Sequence, residues 1–306
     1  YFFIDNNKIF SLFDVPHLLK TVRNNLIEAS FIKGDGNIIS FDDIKKTYEL
    51  DKKNLKSRCL VKITDAHIYP NSFQKMNVKL AAQLLSHSMS ATIRTCIQTG
   101  QLQSNTSLNT ADFIEFINQL FDCLNSRSLY SQNPYLCALT ESGTVHNFLK
   151  KASEYFTNFQ KLKKGKLTQP PCFKGFTQTI NGVLQFFEED KAHNVVFLMT
   201  NRLNQDILEN LFSIFRQMGG YNKNPTARTI RTSIRSNSIF SLCISKGTNC
   251  EATIGDENPI IFDPVRYQNK IDSNNSTLSS YSDTESISNL SFSLLYHLMR
   301  ILLMKI

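Results

Sequence analysis

From residue 71 to residue 124 apolar side chains return at helical spacing, and this run constrains the fold more than any other feature. Asn71 to Thr99 carries Phe73, Met76, Val78, Leu80, Leu84, Leu85, Met89 and Ile93, and Gly100 closes it. A second stretch, capped by Thr110, carries Phe113, Ile114, Phe116, Ile117, Leu120, Phe121 and Leu124. A third runs from Val145 to Leu162. Stripes of this kind predict several helices that bury one face each, so the middle of the chain is a helical body. Shorter helices are predicted over Phe41 to Leu50, over Phe176 to Glu189, and over Gln205 to Met218, with Gly219-Gly220 as a stop. Another is expected from about Thr226.

The ends read differently. Phe2-Phe3-Ile4 and Lys8 to Phe13 predict two short strands around Asp5-Asn6-Asn7. Asp14-Val15-Pro16-His17 then opens a helix, with Asp14 as its cap and Pro16 in its first turn. Val195 to Met199 is a continuous apolar run, either a buried strand or an extension of the helices. Lys161 to Pro171 is basic, Pro-bounded and read as a loop. The expected fold class is α/β, a partial fold interrupted by a large, mostly α-helical insertion.

Charge and cysteine usage narrow the function classes. Lys and Arg exceed Asp and Glu by 34 to 26, a net charge of +8, which suits a polyanion partner but also fits an ordinary basic protein. Seven cysteines without a CxxC pair point to reduced thiols rather than a disulfide framework or a zinc site. The apolar stretch at 291–306 holds His297, Arg300 and Lys305 and is short for a membrane span, so no membrane partner is expected. Residues 273–291 are rich in Ser and Asn and are expected to be disordered. The opening residues have no leader pattern and read as the middle of a fold.

Three constellations carry chemistry. Asp14 ends a predicted strand, and Glu209 lies on a helix among Leu208, Leu211 and Phe212. Nucleotidyl transfer needs carboxylates that converge from separate elements on two cations roughly 4 Å apart. A helix cap at Asp14 and a solvated helix face at Glu209 are the plainer alternatives. Asp206 sits three residues before Glu209 on the same face, in a polar set with Arg202, Asn204, Asn210 and Arg216 that binds a ligand or is merely wet. Asp122 and Asn125 are also three apart. An Asp beside an Asn can read the donor edge of guanine with Phe121 stacking nearby, or can form the polar stripe of an amphipathic helix. Neither GxxxxGK[ST] nor GxGxxG occurs, so a nucleotide site here is not of the P-loop kind. His17 follows Asp14 by three and either adjoins such a site or belongs to the helix start.

Four blocks resemble the P-element and THAP-domain transposases, in that family's order. They are Asp14 to Lys20 with Arg23-Asn24-Asn25; Phe73 to Gln83; Phe121-Asp122 with Leu124 to Arg127; and Arg202 to Ser213 with Arg216 to Asn222 and Asn224 to Ala227. The resemblance implies an RNase H-like catalytic domain interrupted by a GTP-binding helical insertion. It implies catalytic, Mg²⁺-binding roles for Asp14 and Glu209. It implies GTP contacts at Lys62, Val78, Ser86, Phe121, Asp122, Asn125 and Asp206. Asn77 stands where members often carry Lys, which leaves one phosphate contact of the family without its cation. The implied layout is residues 1–28 and 195–240 as RNase H-like parts, 29–194 as the insertion, and 241–306 unassigned. The family's first catalytic Asp and its THAP zinc finger would lie upstream of Tyr1. The implied function is therefore a fragment of a nuclear cut-and-paste transposase, acting on transposon ends and target DNA, with oligomerisation through upstream regions. The alternative is a catalytically inactive DNA- or GTP-binding derivative, because a site short of one acid is expected to be inactive alone.

Overall fold

The structure, a computed structural model, describes residues 1–4, 7–54, 58–192, 195–218, 220–222 and 224–242. Cys243, Cys250, the Ser/Asn-rich stretch and the apolar C-terminal stretch lie outside these. The chain forms two compact units, which divide between Asn204 and Gln205.

In the first unit, β1 (Phe2–Ile4) and β2 (Asn7–Ile9) form an antiparallel hairpin. The strand ends at Ile9, short of the predicted Phe13, because residues 10–14 lean on a helix instead of a neighbouring strand. That helix is α8 (Pro171–Lys191), where Thr179 Oγ1 accepts from the Phe13 N–H at 3.0 Å and Gln178 donates to the Ser11 hydroxyl at 3.2 Å. The packing here is close, and a Cβ at either of two α8 glycines would make the tip of a leucine side chain shift. A Cβ on Gly182 would stand 2.4 Å from Leu12, and one on Gly175 would stand 2.7 Å from Leu18. Asp14 then caps α1 (Val15–Glu28), as its sequence signals predict.

A four-stranded antiparallel sheet follows, in the order β4-β3-β6-β7. It is built from β3 (Ser30–Ile32), β4 (Ile38–Ile39), β6 (Gln160–Lys163) and β7 (Lys166–Thr168). The last two strands occupy the segment read as a loop and the end of the predicted Val145 to Leu162 helix. That helix, α7, runs only from Thr144 to Tyr155. Lys164 at φ 49° and Gly165 at φ 75° form the tight turn between β6 and β7, which is why the chain turns back there.

The helical body is α2 (Phe41–Lys53), α3 (Asp65–Ile68), α4 (Val78–Leu84), α5 (His87–Gln98), α6 (Ser107–Cys123), α7 and α8. The single predicted helix from Asn71 to Thr99 is three pieces: a 3-10 turn at Gln74–Met76, then α4, then α5. Polar residues interrupt it. The Asn77 side chain accepts from the Leu80 N–H and starts α4, and extended backbone at Ser86 starts α5. Likewise α6 begins after Thr106, one turn before Thr110. Thr110 serves inside the helix, where its hydroxyl donates to the buried Asp43 carboxylate at 2.8 Å beside that of Thr106 at 2.7 Å.

Phenylalanine, 23 residues of the chain, forms the centre of the core. Phe31 meets Phe113 and Phe173 edge-on at 5.6 and 5.0 Å, and Phe156 stacks on Phe173 at 4.9 Å. Such pairs contribute about 0.5–1.5 kcal/mol each beyond the area they bury. The Val195 to Met199 run is not a buried strand. Only Phe197–Leu198 pairs, as β8 against β5 (Leu139–Thr140), and Val196 and Phe197 are exposed. Among the described residues no helix is long and apolar enough to cross a membrane.

The second unit is described by α9 (Asp206–Met218) and α10 (Ala227–Leu242), which pack on each other. Leu211 and Phe215, one turn apart, are buried on α9 among the described side chains.

Candidate functional site

The candidate residues of the first unit are carried by elements that pack in succession, α3 on α4 and α5 on α6. Lys62 is exposed in the turn before α3. The buried Asp51 carboxylate builds that turn by accepting from the N–H groups of Cys59 (2.7 Å) and Leu60 (3.2 Å) and from Arg58 Nε (3.2 Å). His67 ties α3 to α4. Its Nδ1 accepts from the Thr64 N–H at 3.1 Å, so the proton lies on Nε2 and goes to Gln83 Oε1 at 2.9 Å. Val78 is the first residue of α4, and Ser86 precedes the first of α5.

The turn ahead of Val78 is fixed from α1. Arg23 is fully buried, and its Nη2 donates to the carbonyls of Gln74 and Lys75 at 3.3 and 2.8 Å. Asn24 adds a third bond, to Lys75 O at 3.2 Å. Burial lowers the Arg23 pKa, and Nη1 has no partner among the described residues. Phe73, 84% exposed, lies next to these bonded carbonyls.

At the far end of α6 the structure gathers amides around Asp122. Asp122 Oδ2 accepts from Asn118 Nδ2 and Asn133 Nδ2, both at 3.3 Å. Burial raises the Asp122 pKa, and the Asn133 bond acts against this. Asn125 follows one turn later, and its Oδ1 accepts from Asn204 Nδ2 at 2.9 Å. A buried polar seam holds the two segments together. Thr200 Oγ1 donates to Cys123 O at 2.7 Å and accepts from the Ser126 N–H at 3.0 Å, while the Asn201 N–H reaches Ser126 O at 3.2 Å. Phe121 is half-buried and packs against the core.

Asp14 has a different setting. Its Oδ2 accepts from the His17 N–H at 3.1 Å and pairs with the His17 ring. Glu209 is exposed on α9, three residues after Asp206, and both belong to the second unit. Among the described residues no three His, Cys, Asp or Glu side chains converge as a metal set. Two surface hollows, of about 310 Å³ beside the start of α8 and about 240 Å³ beside α2, include none of the candidate residues.

Sequence reasoning missed Asn118, Asn133, His67 and the buried role of Arg23. Asn118 stands one helical turn before Asp122, a spacing that could have revealed it. Asn133 lies in an irregular loop that no periodicity reaches.

The family model described as "TNP-like, GTP-binding insertion domain" matches residues 16–138, and "TNP-like, RNase H C-terminal domain" matches residues 201–232. The chain is 31% identical over 240 residues to the Transposable element P transposase of Drosophila melanogaster, covering 76% of this chain and 30% of that protein. It is 26% identical over 233 residues to the human DNA transposase THAP9, covering 72% of this chain and 25% of that one. The Drosophila P element transposase strand transfer complex matches with a TM-score of 0.66 at 28% identity, over 77% of this chain and 53% of the other. The chain thus spans less than a third of the length of either curated relative. Over the segments matched, it belongs to the P-element and THAP transposase family.

Proposed function

We propose that the chain is a fragment of a cut-and-paste DNA transposase, in which an RNase H-like domain is interrupted by a guanine-nucleotide-binding insertion. One observation carries this reading: the GTP-binding insertion match at 16–138 is followed by the RNase H C-terminal match at 201–232, and Asp14 and Glu209 fall on either side of the insertion. Residues 1–28 and 195–240 supply the RNase H-like parts, 29–194 the insertion, and 241–306 have no assigned role. In the reaction, water attacks a phosphodiester at the element's end and leaves a 3′-hydroxyl. That hydroxyl then attacks a target phosphodiester and displaces its 3′ oxygen. Excess Lys and Arg contact backbone phosphates. DNA places the protein in the nucleus, and self-association completes the assembly.

Mg²⁺ belongs to this chemistry as the ion that polarises the reacting phosphate, with Asp14 and Glu209 as the carboxylates that would hold it. The described residues do not make up a complete cation site, so the Mg²⁺ assignment rests on the resemblance alone. GTP acts as an assembly cofactor bound by Lys62, Val78, Ser86, Phe121, Asp122, Asn125 and Asp206.

The test is proximity and activity together. In an Asp14→Cys, Glu209→Cys chain, a short bismaleimide is expected to join positions 14 and 209 within one molecule, mapped by mass spectrometry. A chain in which the two never cross-link contradicts the reading. The second reading, an inactive DNA- or GTP-binding derivative, is favoured by the engagement of Asp14 with its own helix start and with His17. A Mg²⁺-dependent strand-transfer assay on the purified chain separates the two: joined product excludes the inactive derivative.

A further inference from the structure

We infer that Asn204 is a positioning residue that sets the base selectivity of the site at the end of α6, by holding the Asn125 amide with its nitrogen left for an acceptor on the ligand. This rests on the proposed reading of that site as a guanine-nucleotide site.

The geometry assigns each polar atom a direction. Asn125 Oδ1 is taken by Asn204 Nδ2 at 2.9 Å, and Asn125 Nδ2 has no partner among the described residues. Asn204 is 4% exposed, and its own N–H is bonded to Asn201 O at 3.2 Å. Asn201 and Thr200 are in turn fixed to Ser126, the neighbour of Asn125. The two amides are therefore held at a set separation by backbone bonds as well as by their own contact.

Asp122 is oriented in the same manner. Asn133 Oδ1 accepts from the Tyr135 N–H at 3.1 Å, which leaves Asn133 Nδ2 to donate to Asp122 Oδ2. With Asn118 on the same oxygen, Oδ2 is satisfied, and Oδ1 has no partner among the described residues. The site offers one fixed carboxylate acceptor and one fixed amide donor pair. Guanine presents the complement, donors at N1 and the 2-amino group and an acceptor at O6. A purine with a 6-amino group meets the Asn125 N–H groups with its own N–H groups, and buried polar groups left unpaired in this way give strong rejection.

An aspartate at position 204 accepts but does not donate, so it turns the Asn125 amide over and presents Oδ1 to the ligand. The experiment titrates the full chain and its Asn204→Asp variant with GTP and with 2,6-diaminopurine riboside triphosphate, which keeps the 2-amino donor, replaces O6 by an amine and turns N1 from donor to acceptor. The N1 change meets the same Asp122 in both chains, so the change in ratio between them reads the Asn125 amide. Wild type is expected to favour GTP by about tenfold or more, and the variant to lose that preference by about tenfold or more. Asn204→Ala, which only releases the amide, is expected to fall between them. The ratio is read on one preparation, so partial unfolding lowers both titrations alike and leaves it unchanged. If the Asn204→Asp ratio equals that of wild type while Asp122→Ala abolishes GTP binding, the nucleotide reading stands and the role of Asn204 is overturned. If neither nucleotide binds wild type, the nucleotide reading fails and this inference fails with it.

Discussion

Asp14 and Asp122 are both acids on helices of the first unit, and they are held in opposite ways. The partners of Asp14 include the His17 N–H and the His17 ring, both from its own first turn, as an N-cap requires. Asp122 sits at the other end of a helix, where a negative charge opposes the helix dipole. Its partners come from one turn back and from a loop eleven residues on, and burial raises its pKa. Nothing in the folding of α6 requires an acid there. A carboxylate kept where it costs stability, oriented by two amides and left with an open oxygen, is better explained by a ligand than by a cap.

Substitutions sharpen this comparison. The largest effect on stability is expected at the seam that builds the Asp122 region. Thr200→Val leaves the buried Ser126 N–H and Cys123 carbonyl unpaired, and should lower the unfolding free energy by about 2 kcal/mol in a urea titration. Asp14→Ala should cost about 1 kcal/mol, the usual value of an N-cap, and Asp14→Ser should restore most of it. Restored stability without restored strand transfer would show that Asp14 has a task beyond capping.

The smallest effect is on pH dependence. Folding raises the Asp122 pKa, so the native state holds that proton more tightly than the unfolded chain does. Stability from this group is fully present below the unfolded carboxylate pKa and falls as pH rises through the folded value. Asp122→Asn should remove that part of the slope. A ligand that needs the ionised carboxylate follows the opposite course, so GTP affinity should weaken as pH falls through the raised pKa.

Much of this was legible in the sequence, and unevenly. The helical period gave α6, α8 and α9 because their apolar stripes are long and uninterrupted. It failed between Asn71 and Thr99, where Asn77 and Ser86 start new helices inside a stripe that remains periodic across the breaks. It failed again after Tyr155, where the β6–β7 turn depends on positive φ at Lys164 and Gly165 rather than on apolar pattern. The resemblance blocks gain a physical meaning from the coordinates. Arg23 and Asn24 of the first block bond to the carbonyls of Gln74 and Lys75 in the second. Asn125 of the third bonds to Asn204 of the fourth, next to the Thr200–Ser126 seam. Pairings across 51 and 79 positions carry no local signal, which is why Asn204 read only as one polar residue among several.

The contrast between the two acids comes down to one calorimetric titration of GTP against three chains: wild type, Asp122→Ala and Asp14→Ala. The account expects wild type and Asp14→Ala to bind alike and Asp122→Ala to bind about ten- to a hundredfold more weakly, the value of a charge-assisted hydrogen bond. Equal binding by Asp122→Ala and wild type would contradict it.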